Sequence, residues 1–123
     1  DPAHRIQKLN LHFTCAEDRD AAIASLAGED VNIVCCEKHS IEITHASVTK
    51  GTGLLALAAQ LGIPAEETIA VGDADNDLPM LRAAGLGVAM GSANENARAA
   101  ASVTVADNDH DGCAEAIRRF LLG

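Results

Sequence analysis

The most informative stretch of this 123-residue chain is Val71-Gly72-Asp73-Ala74-Asp75-Asn76-Asp77. It begins in a short apolar run, residues 69–71, which is typical of a buried strand, and its glycine permits a tight turn. A strand that ends in Gly-Asp carries a carboxylate at the carboxyl edge of a parallel sheet, where open α/β folds bind ligands. The stretch therefore predicts an α/β sheet with acidic side chains at its ligand-binding edge.

The acidic residues of this stretch allow two interpretations. Clustered carboxylates repel one another unless a cation lies among them, and oxygen-only ligands suit Mg²⁺. Alternatively, Asn76 or Asp77 caps the helix that follows. A calcium loop of the EF-hand type is excluded, because Leu78 and Ala84 stand where that loop needs Gly and Glu. The spacing alone leaves the magnesium site and the capped turn open.

A second acidic run, Asp107-Asn108-Asp109-His110-Asp111-Gly112, matches only the first half of a calcium loop. Arg118 occupies the position of the bidentate glutamate, so a cation there would meet a positive charge. We expect Asp111 to cap the last helix instead.

The first third of the chain has the pattern of an α+β unit. Apolar and polar residues alternate over 8–13, which predicts a half-buried strand, and residues 14–27 have helical periodicity. Residues 31–36 and 41–44 are strand candidates joined by a hairpin-length connection. We assign residues 1–46 to this unit.

From residue 47 onward, helices alternate with short apolar strands. Leu54, Leu57, Ala58 and Leu61 share one face of a helix that ends at Gly62. The further strands are predicted at 86–90 and 103–105, with helices at 78–85, at 94–101 and from about 111, where Cys113, Ile117 and Leu121 recur every fourth residue. Strands separated by helices imply βαβ crossovers and a parallel sheet over residues 47–123.

Composition excludes several classes of partner. The chain has 9 Lys and Arg against 18 Asp and Glu, a formal net charge of −9, which opposes binding to nucleic acid. Its aromatic residues are two Phe, too few for base stacking. No apolar run approaches the roughly 20 residues of a membrane span. We expect no nucleic-acid or membrane partner.

The four cysteines do not form a metal or redox motif. No C-x-x-C spacing occurs, and Cys35 and Cys36 are adjacent in an apolar run. A chain with an adequate core does not need disulfides, so we expect buried free thiols in a reducing compartment, and hence a cytoplasmic protein.

Four blocks of sequence occur in an order that resembles a known family. They are Ser47-Val48-Thr49-Lys50-Gly51, Gly72-Asp73-Ala74-Asp75-Asn76-Asp77-Leu78-Pro79-Met80-Leu81, Gly87-Val88-Ala89-Met90-Gly91-Ser92-Ala93, and residues 107–112. Together they resemble the C-terminal half of haloacid dehalogenase-superfamily phosphatases of the Cof-like branch, subfamily IIB. The resemblance implies a Rossmann-like core over residues 47–123, preceded at 1–46 by the remnant of an α+β cap domain.

The resemblance also implies a chemistry, the Mg²⁺-dependent hydrolysis of small phosphorylated metabolites such as sugar phosphates. Lys50 matches the lysine that stabilises the phosphate and the attacking carboxylate. Asp73 matches a Mg²⁺ ligand. Asn76 and Asp77 match positions that orient the phosphate and the metal shell, Asn76 as a phosphate-binding residue and Asp77 as a catalytic one.

The family's nucleophile motif, D-x-D-x-T, is missing from these 123 residues. The chain is therefore expected to be a C-terminal fragment that is inactive alone. The alternative is a non-catalytic α/β module that completes another chain, or that associates with itself through an exposed sheet edge.

Overall fold

The computed structural model describes residues 6–123. The chain divides into two compact units, of which the first ends at Thr49 and the second spans Lys50–Gly123. The sequence-based boundary between residues 46 and 47 lies slightly before this division. The assignment of the two segments to a cap remnant and a catalytic core stays a prediction.

The described residues of the first unit, 6–49, form a three-stranded antiparallel sheet with one helix. Its elements are β1 (Lys8–His12), α1 (Ala16–Ser25), β2 (Val31–Glu37) and β3 (Ser40–His45). The strand order is β1-β3-β2, so β3 lies in the centre, and Ile43 pairs with Leu9 on one side and Ile33 on the other. The predicted α+β architecture is confirmed.

Among residues 6–49, the buried side chains lie on the central strand β3. Ile41 and Ile43 on β3 are 1% and 9% exposed. All five residues of β1 are exposed, including Leu9 and Leu11, so the prediction of a half-buried strand is wrong for its side chains. As an edge strand, β1 has a neighbour on one side only within the described residues, and alternation in the sequence cannot reveal that.

The second unit is an α/β layer structure. Its elements are α2 (Lys50–Leu61), β4 (Ile69–Gly72), α3 (Leu78–Ala83), β5 (Leu86–Ala89), α4 (Glu95–Ala100), β6 (Val103–Thr104) and α5 (Gly112–Ala116), which continues as a π-helical turn over Ile117–Leu121. The three strands are parallel in the order β4-β5-β6, as predicted. The carboxyl ends of β4 and β5 therefore lie side by side.

The core of the second unit consists mainly of small side chains around β5. Val88 and Ala89 are fully buried, and Leu81 of α3 packs with them. Burial of a side chain the size of Val or Leu contributes about 1.5–3 kcal/mol. Alanines fill much of the remaining core, which allows the short helices to approach the sheet closely.

The predicted apolar face of α2 is only partly covered. Ala58 is buried and Leu54 half-buried, whereas Leu57 and Leu61 are 55% and 63% exposed. Within the described part of this unit, the covered side of α2 is the one that carries Gly51, Leu54 and Ala58. None of the helices described over residues 6–123 is long and apolar enough to cross a membrane.

The cysteines are free, but the expectation that they are buried is wrong. Cys35, Cys36 and Cys113 are exposed, and Cys15 is half-buried. Cys35 and Cys36 lie where the pairing of β2 with β3 shifts register, next to the hairpin. An apolar run predicts a strand, but it does not show whether another layer covers the faces of that strand.

Candidate active site

The turn after β4 folds back on itself, and Gly72 makes this possible. A Cβ atom at Gly72 would lie 2.5 Å from the Cβ of Asp77, closer than two such carbons can approach. The glycine therefore lets Asp77, at the end of the 3₁₀ turn Asp75–Asp77, return to the end of the strand. The predicted tight turn is present.

Asp77 is the buried centre of this turn. Its residue is only 3% exposed. Its Oδ2 accepts hydrogen bonds from the backbone N–H of Asp73 at 2.9 Å and of Ala74 at 3.2 Å. Its Oδ1 accepts a hydrogen bond from Nζ of Lys50 at 2.5 Å, which is also an ion pair. One carboxylate thus holds the turn and anchors a lysine from another helix.

Lys50 reaches Asp77 because the first turn of α2 lies against the first turn of α3. A Cβ atom at Gly51 would lie 2.5 Å from the carbonyl oxygen of Pro79, so only glycine permits this approach. Gly51 is buried, while the side chain of Lys50 stays 47% exposed. Asp77 therefore binds the Lys50 ammonium on one side, and the ammonium remains accessible to an anion from solvent.

The protonation state of Asp77 follows from its partners. Burial acts to raise the pKa of this carboxyl, but hydrogen bonds from Lys50 and from the backbone of Asp73 and Ala74 outweigh it, and the pKa is lowered from its ordinary value. Asp77 is therefore a carboxylate at neutral pH. It keeps the Lys50 ammonium in place.

Asp73 and Asn76 complete the group of residues predicted from the sequence. Asp73 is exposed directly after β4, and its backbone carbonyl accepts a hydrogen bond from the N–H of Asn94 at 3.0 Å. Asn76 is half-buried inside the 3₁₀ turn, next to Asp77. The structure thus brings Lys50 to the acidic turn at the edge where β4 ends.

The acidic turn does not need a cation to relieve repulsion between its carboxylates, which corrects the reasoning applied to the sequence. Asp77 has Lys50 and two backbone donors, and Asp75 accepts two side-chain amides. Over residues 6–123, no three His, Cys, Asp or Glu side chains are grouped to hold a metal ion.

The residues present still fit a shared magnesium site. Mg²⁺ keeps several waters and commonly takes only one or two protein carboxylates, the rest coming from a substrate phosphate. The exposed carboxylate of Asp73 is a suitable single ligand at a strand end. Both oxygens of Asp77 already accept hydrogen bonds, so this carboxylate is suited to a place near the ion and not to direct coordination.

The second acidic run has a structural role. Asp111 occupies the N-cap position of α5 in a left-handed conformation (φ 57°), but its side chain makes no capping hydrogen bond, so that part of the prediction is wrong. Asp107 accepts instead from the N–H of Asp109 at 3.1 Å and pairs with Nδ1 of His110 at 2.5 Å. The pKa of Asp107 is lowered, and the hydrogen bond with His110 is the largest cause.

Sequence reasoning missed two residues that contact the acidic turn, Asn94 and Asn96. Both donate their side-chain amides to Oδ1 of Asp75 at 3.0 Å. Asn94 also caps α4, since its Oδ1 accepts from the N–H of Ala97 at 2.8 Å. An Asn directly before an alanine-rich helix is an N-cap signal that the sequence carried.

Comparison with known proteins shows the family of this chain. The family model for haloacid dehalogenase-like hydrolase matches residues 3–117. The chain belongs to the haloacid dehalogenase-like hydrolase family. Phosphatase YwpJ of Bacillus subtilis is 44% identical over 93 residues, which are 76% of this chain and 33% of the relative. This haloacid dehalogenase-like chain thus spans about a third of the length of that relative.

Solved structures agree with the family assignment. A haloacid dehalogenase-like hydrolase from B. subtilis superimposes with a TM-score of 0.86 at 37% identity, over 94% of this chain and 41% of that one. A haloacid dehalogenase subclass IIB sugar phosphatase gives 0.82 at 30% identity, over 95% and 44%. The resemblance to Cof-like phosphatases drawn from the four sequence blocks is confirmed.

Proposed function

We propose that this chain supplies the lysine and the metal-binding turn of a Mg²⁺-dependent phosphatase that acts on small phosphorylated metabolites, such as sugar phosphates. The observation that carries the proposal is the ion pair of Lys50 with Asp77 at the carboxyl end of β4. It holds an accessible ammonium on one oxygen of Asp77, whose other oxygen accepts from the backbone N–H of Asp73. The family, and the sugar phosphatase among the similar structures, support this substrate class.

The roles of the residues follow from their charges and constraints. A Mg²⁺ ion held by Asp73 would supply charge neutralisation for the phosphoryl group. The Lys50 ammonium donates to phosphate oxygens, and Asp77 limits where that ammonium can move. Asn76 offers a side-chain amide to the same oxygens. Phosphoryl transfer depends mainly on such positioning and electrostatic stabilisation, so these residues act as a prearranged cradle.

The test uses Mg²⁺ and inorganic phosphate titrated into the isotope-labelled 123-residue chain, with backbone amide shifts as the readout. We expect phosphate to shift the amides of the acidic turn only when Mg²⁺ is present, and Lys50→Met or Asp73→Asn to abolish the effect. The control is Lys38→Met, on the β2–β3 hairpin of the other unit. Phosphate shifts that are independent of Mg²⁺, or absent from the turn, contradict the proposal.

We also propose that these 123 residues do not turn over substrate alone, because the sequence contains no D-x-D-x-T nucleophile motif. Hydrolysis of p-nitrophenyl phosphate that requires Mg²⁺ and is lost in Asp73→Asn would contradict this. Sequencing the coding DNA upstream of Asp1 for an in-frame D-x-D-x-T tests where the nucleophile comes from. The four free thiols support a reducing, cytoplasmic location for the enzyme.

A second candidate, assembly with another chain, is favoured by one feature of the sheet. In the described residues β4 is an edge strand of a parallel sheet, and an edge strand presents unpaired backbone N–H and C=O groups with which another strand can pair. We propose that this edge pairs with a strand of a second copy when nothing else occupies it. Light scattering that shows a monomer at every concentration contradicts self-association.

A further inference from the structure

Asp75 lies in the acidic turn, and the sequence by itself assigns it no individual role. Its Oδ1 accepts two side-chain amide hydrogen bonds, from Asn94 and Asn96, each at 3.0 Å. Both donors lie at the start of α4, about twenty residues further along the chain, so these bonds tie that helix to the acidic turn.

Asn94 connects α4 to the acidic turn through its backbone as well. Its N–H donates to the carbonyl of Asp73 at 3.0 Å, and its Oδ1 accepts from the N–H of Ala97. Its own carbonyl accepts from the N–H of Arg98 at 3.0 Å, within the helix. The side chain of Asn94 is therefore fixed by bonds at both of its polar atoms, and with it the distance between helix and turn.

The loop that precedes α4 is held in turn by Arg98. Its Nε donates to the carbonyl of Ala93 at 3.0 Å, and its Nη2 donates to the carbonyl of Gly91. Ala93 and Ala97 are buried in the core of the second unit. The donors that reach Asp75 thus stand on an element that packing and hydrogen bonds immobilise.

Asp73 lies between two anchors as a result. On one side its N–H donates to Asp77, which Lys50 holds. On the other side its carbonyl accepts from Asn94. With both flanking peptide groups bonded, the direction in which the Asp73 carboxylate leaves the strand end is determined by the turn's conformation.

We propose that Asp75, Asn94 and Asn96 are positioning residues, which clamp the acidic turn so that Asp73 presents its carboxylate to Mg²⁺; this rests on the function proposed above. The clamp acts through hydrogen bonds and not through the negative charge of Asp75. Groups that orient a metal ligand typically change metal affinity by about 10- to 100-fold when they are removed. Because Asp75 and both Asn residues are exposed, we expect the lower end, about 10-fold.

Two substitutions separate the hydrogen bonds of Asp75 from its charge. Asp75→Ala removes both, whereas Asp75→Asn keeps an oxygen that accepts from the two amides. A third, Asn96→Ala, removes one donor and places a better helix former in α4, so the stability of that helix is maintained. The control is Asn108→Ala, which deletes another exposed amide-to-carboxylate bond, to Asp109, outside the site.

The measurements are amide hydrogen exchange at Asp73 and Ala74 and the shift of the Asp73 amide on titration with Mg²⁺ alone, using the full 123-residue chain. In Asp75→Ala we expect faster exchange, because the turn opens more readily, and Mg²⁺ affinity about 10-fold weaker. Asn96→Ala should show the same changes to a smaller degree without a lower melting temperature. Asp75→Asn and the Asn108→Ala control should behave like the wild type.

Two results overturn the clamp: unchanged exchange in Asp75→Ala, or an Asp75→Asn variant that is as impaired as Asp75→Ala, which would mean that the charge acts. Failure of the proposed function looks different. In that case the wild-type Asp73 amide does not respond to Mg²⁺, while the exchange measurement still decides whether Asp75 holds the turn.

Discussion

Replacement of Asp77 by asparagine tests the ion pair at the centre of the site. The variant keeps the shape of the side chain and an oxygen that can accept from the backbone of Asp73 and Ala74. Its amide nitrogen, however, takes the place of the oxygen that lies 2.5 Å from Nζ of Lys50. Two donors then face each other at a residue that is 3% exposed. We expect a lower free energy of unfolding.

The magnitude follows from the burial of the two partners. A hydrogen bond to a charged group contributes about 1.5–3 kcal/mol. Because the Lys50 side chain is 47% exposed, water replaces part of its lost interaction. We therefore expect Asp77→Asn to lower the free energy of unfolding by about 1–2 kcal/mol at neutral pH.

The same reasoning predicts a pH dependence with a definite sign. The pKa of Asp77 is lowered in the folded chain below its ordinary value of 3.8. Its contribution is therefore fully present above that value and is lost as the pH falls through the folded pKa. The difference in the free energy of unfolding between the wild type and Asp77→Asn should be constant above about pH 5 and should become smaller below about pH 4.

The assay is urea unfolding followed by far-ultraviolet circular dichroism at several pH values. Glu66→Gln is the control, because it neutralises an exposed carboxylate of the same unit and should change stability by less than about 0.5 kcal/mol. An Asp77→Asn variant as stable as this control, or a difference that widens in acid, would refute the reasoning.

Three other predictions concern the framework of the site. Gly51→Ala should lose about 1–3 kcal/mol of stability, because its Cβ would overlap the Pro79 carbonyl. Gly53→Ala, on the open side of α2, should gain up to about 1 kcal/mol. Melting temperatures that change in the same direction in both variants contradict this. Glu115 has a lowered pKa, mainly through the hydrogen bond from the backbone N–H of Ala106. As the pH falls, the free energy of unfolding should therefore decrease less steeply for Glu115→Gln than for the wild type. If the urea midpoints of the two proteins fall by the same amount below about pH 4.5, this bond is not involved. Finally, a metal chelator added in the absence of added Mg²⁺ should leave the melting temperature unchanged, since protein donors already bond the buried carboxylate of the turn; a drop would indicate a tightly bound structural cation.

The strands and helices of the second unit could be predicted because their signals are local. Residues 69–71 are apolar and end in Gly-Asp, and the observed strand is Ile69–Gly72. Gly62 ends α2 with a left-handed backbone (φ 70°), as a glycine at that position commonly does. These patterns involve residues that are only a few positions apart, so they can be recognised in the sequence without the tertiary structure.

Exposure could not be predicted in the same way. Leu9, Leu57 and Cys35 occur in patterns typical of buried positions, yet all three are exposed in this chain. A periodic pattern shows which side chains share a face. It does not show whether another element covers that face, which depends on the order of strands and on how many layers pack together.

The strands, the helices and the parallel sheet of the second unit follow from the sequence, because they rest on local patterns. The roles of Lys50, Asp73, Asn76 and Asp77 stay predictions that the family resemblance implies. Which carboxylates already have partners emerges only when the chain is folded: Lys50 binds Asp77, 27 residues further along, and Asn94 binds Asp75, 19 residues before it. Such pairs form when separate helices converge on one sheet edge. Their energies depend on burial and distance, and these arise only when the chain is folded.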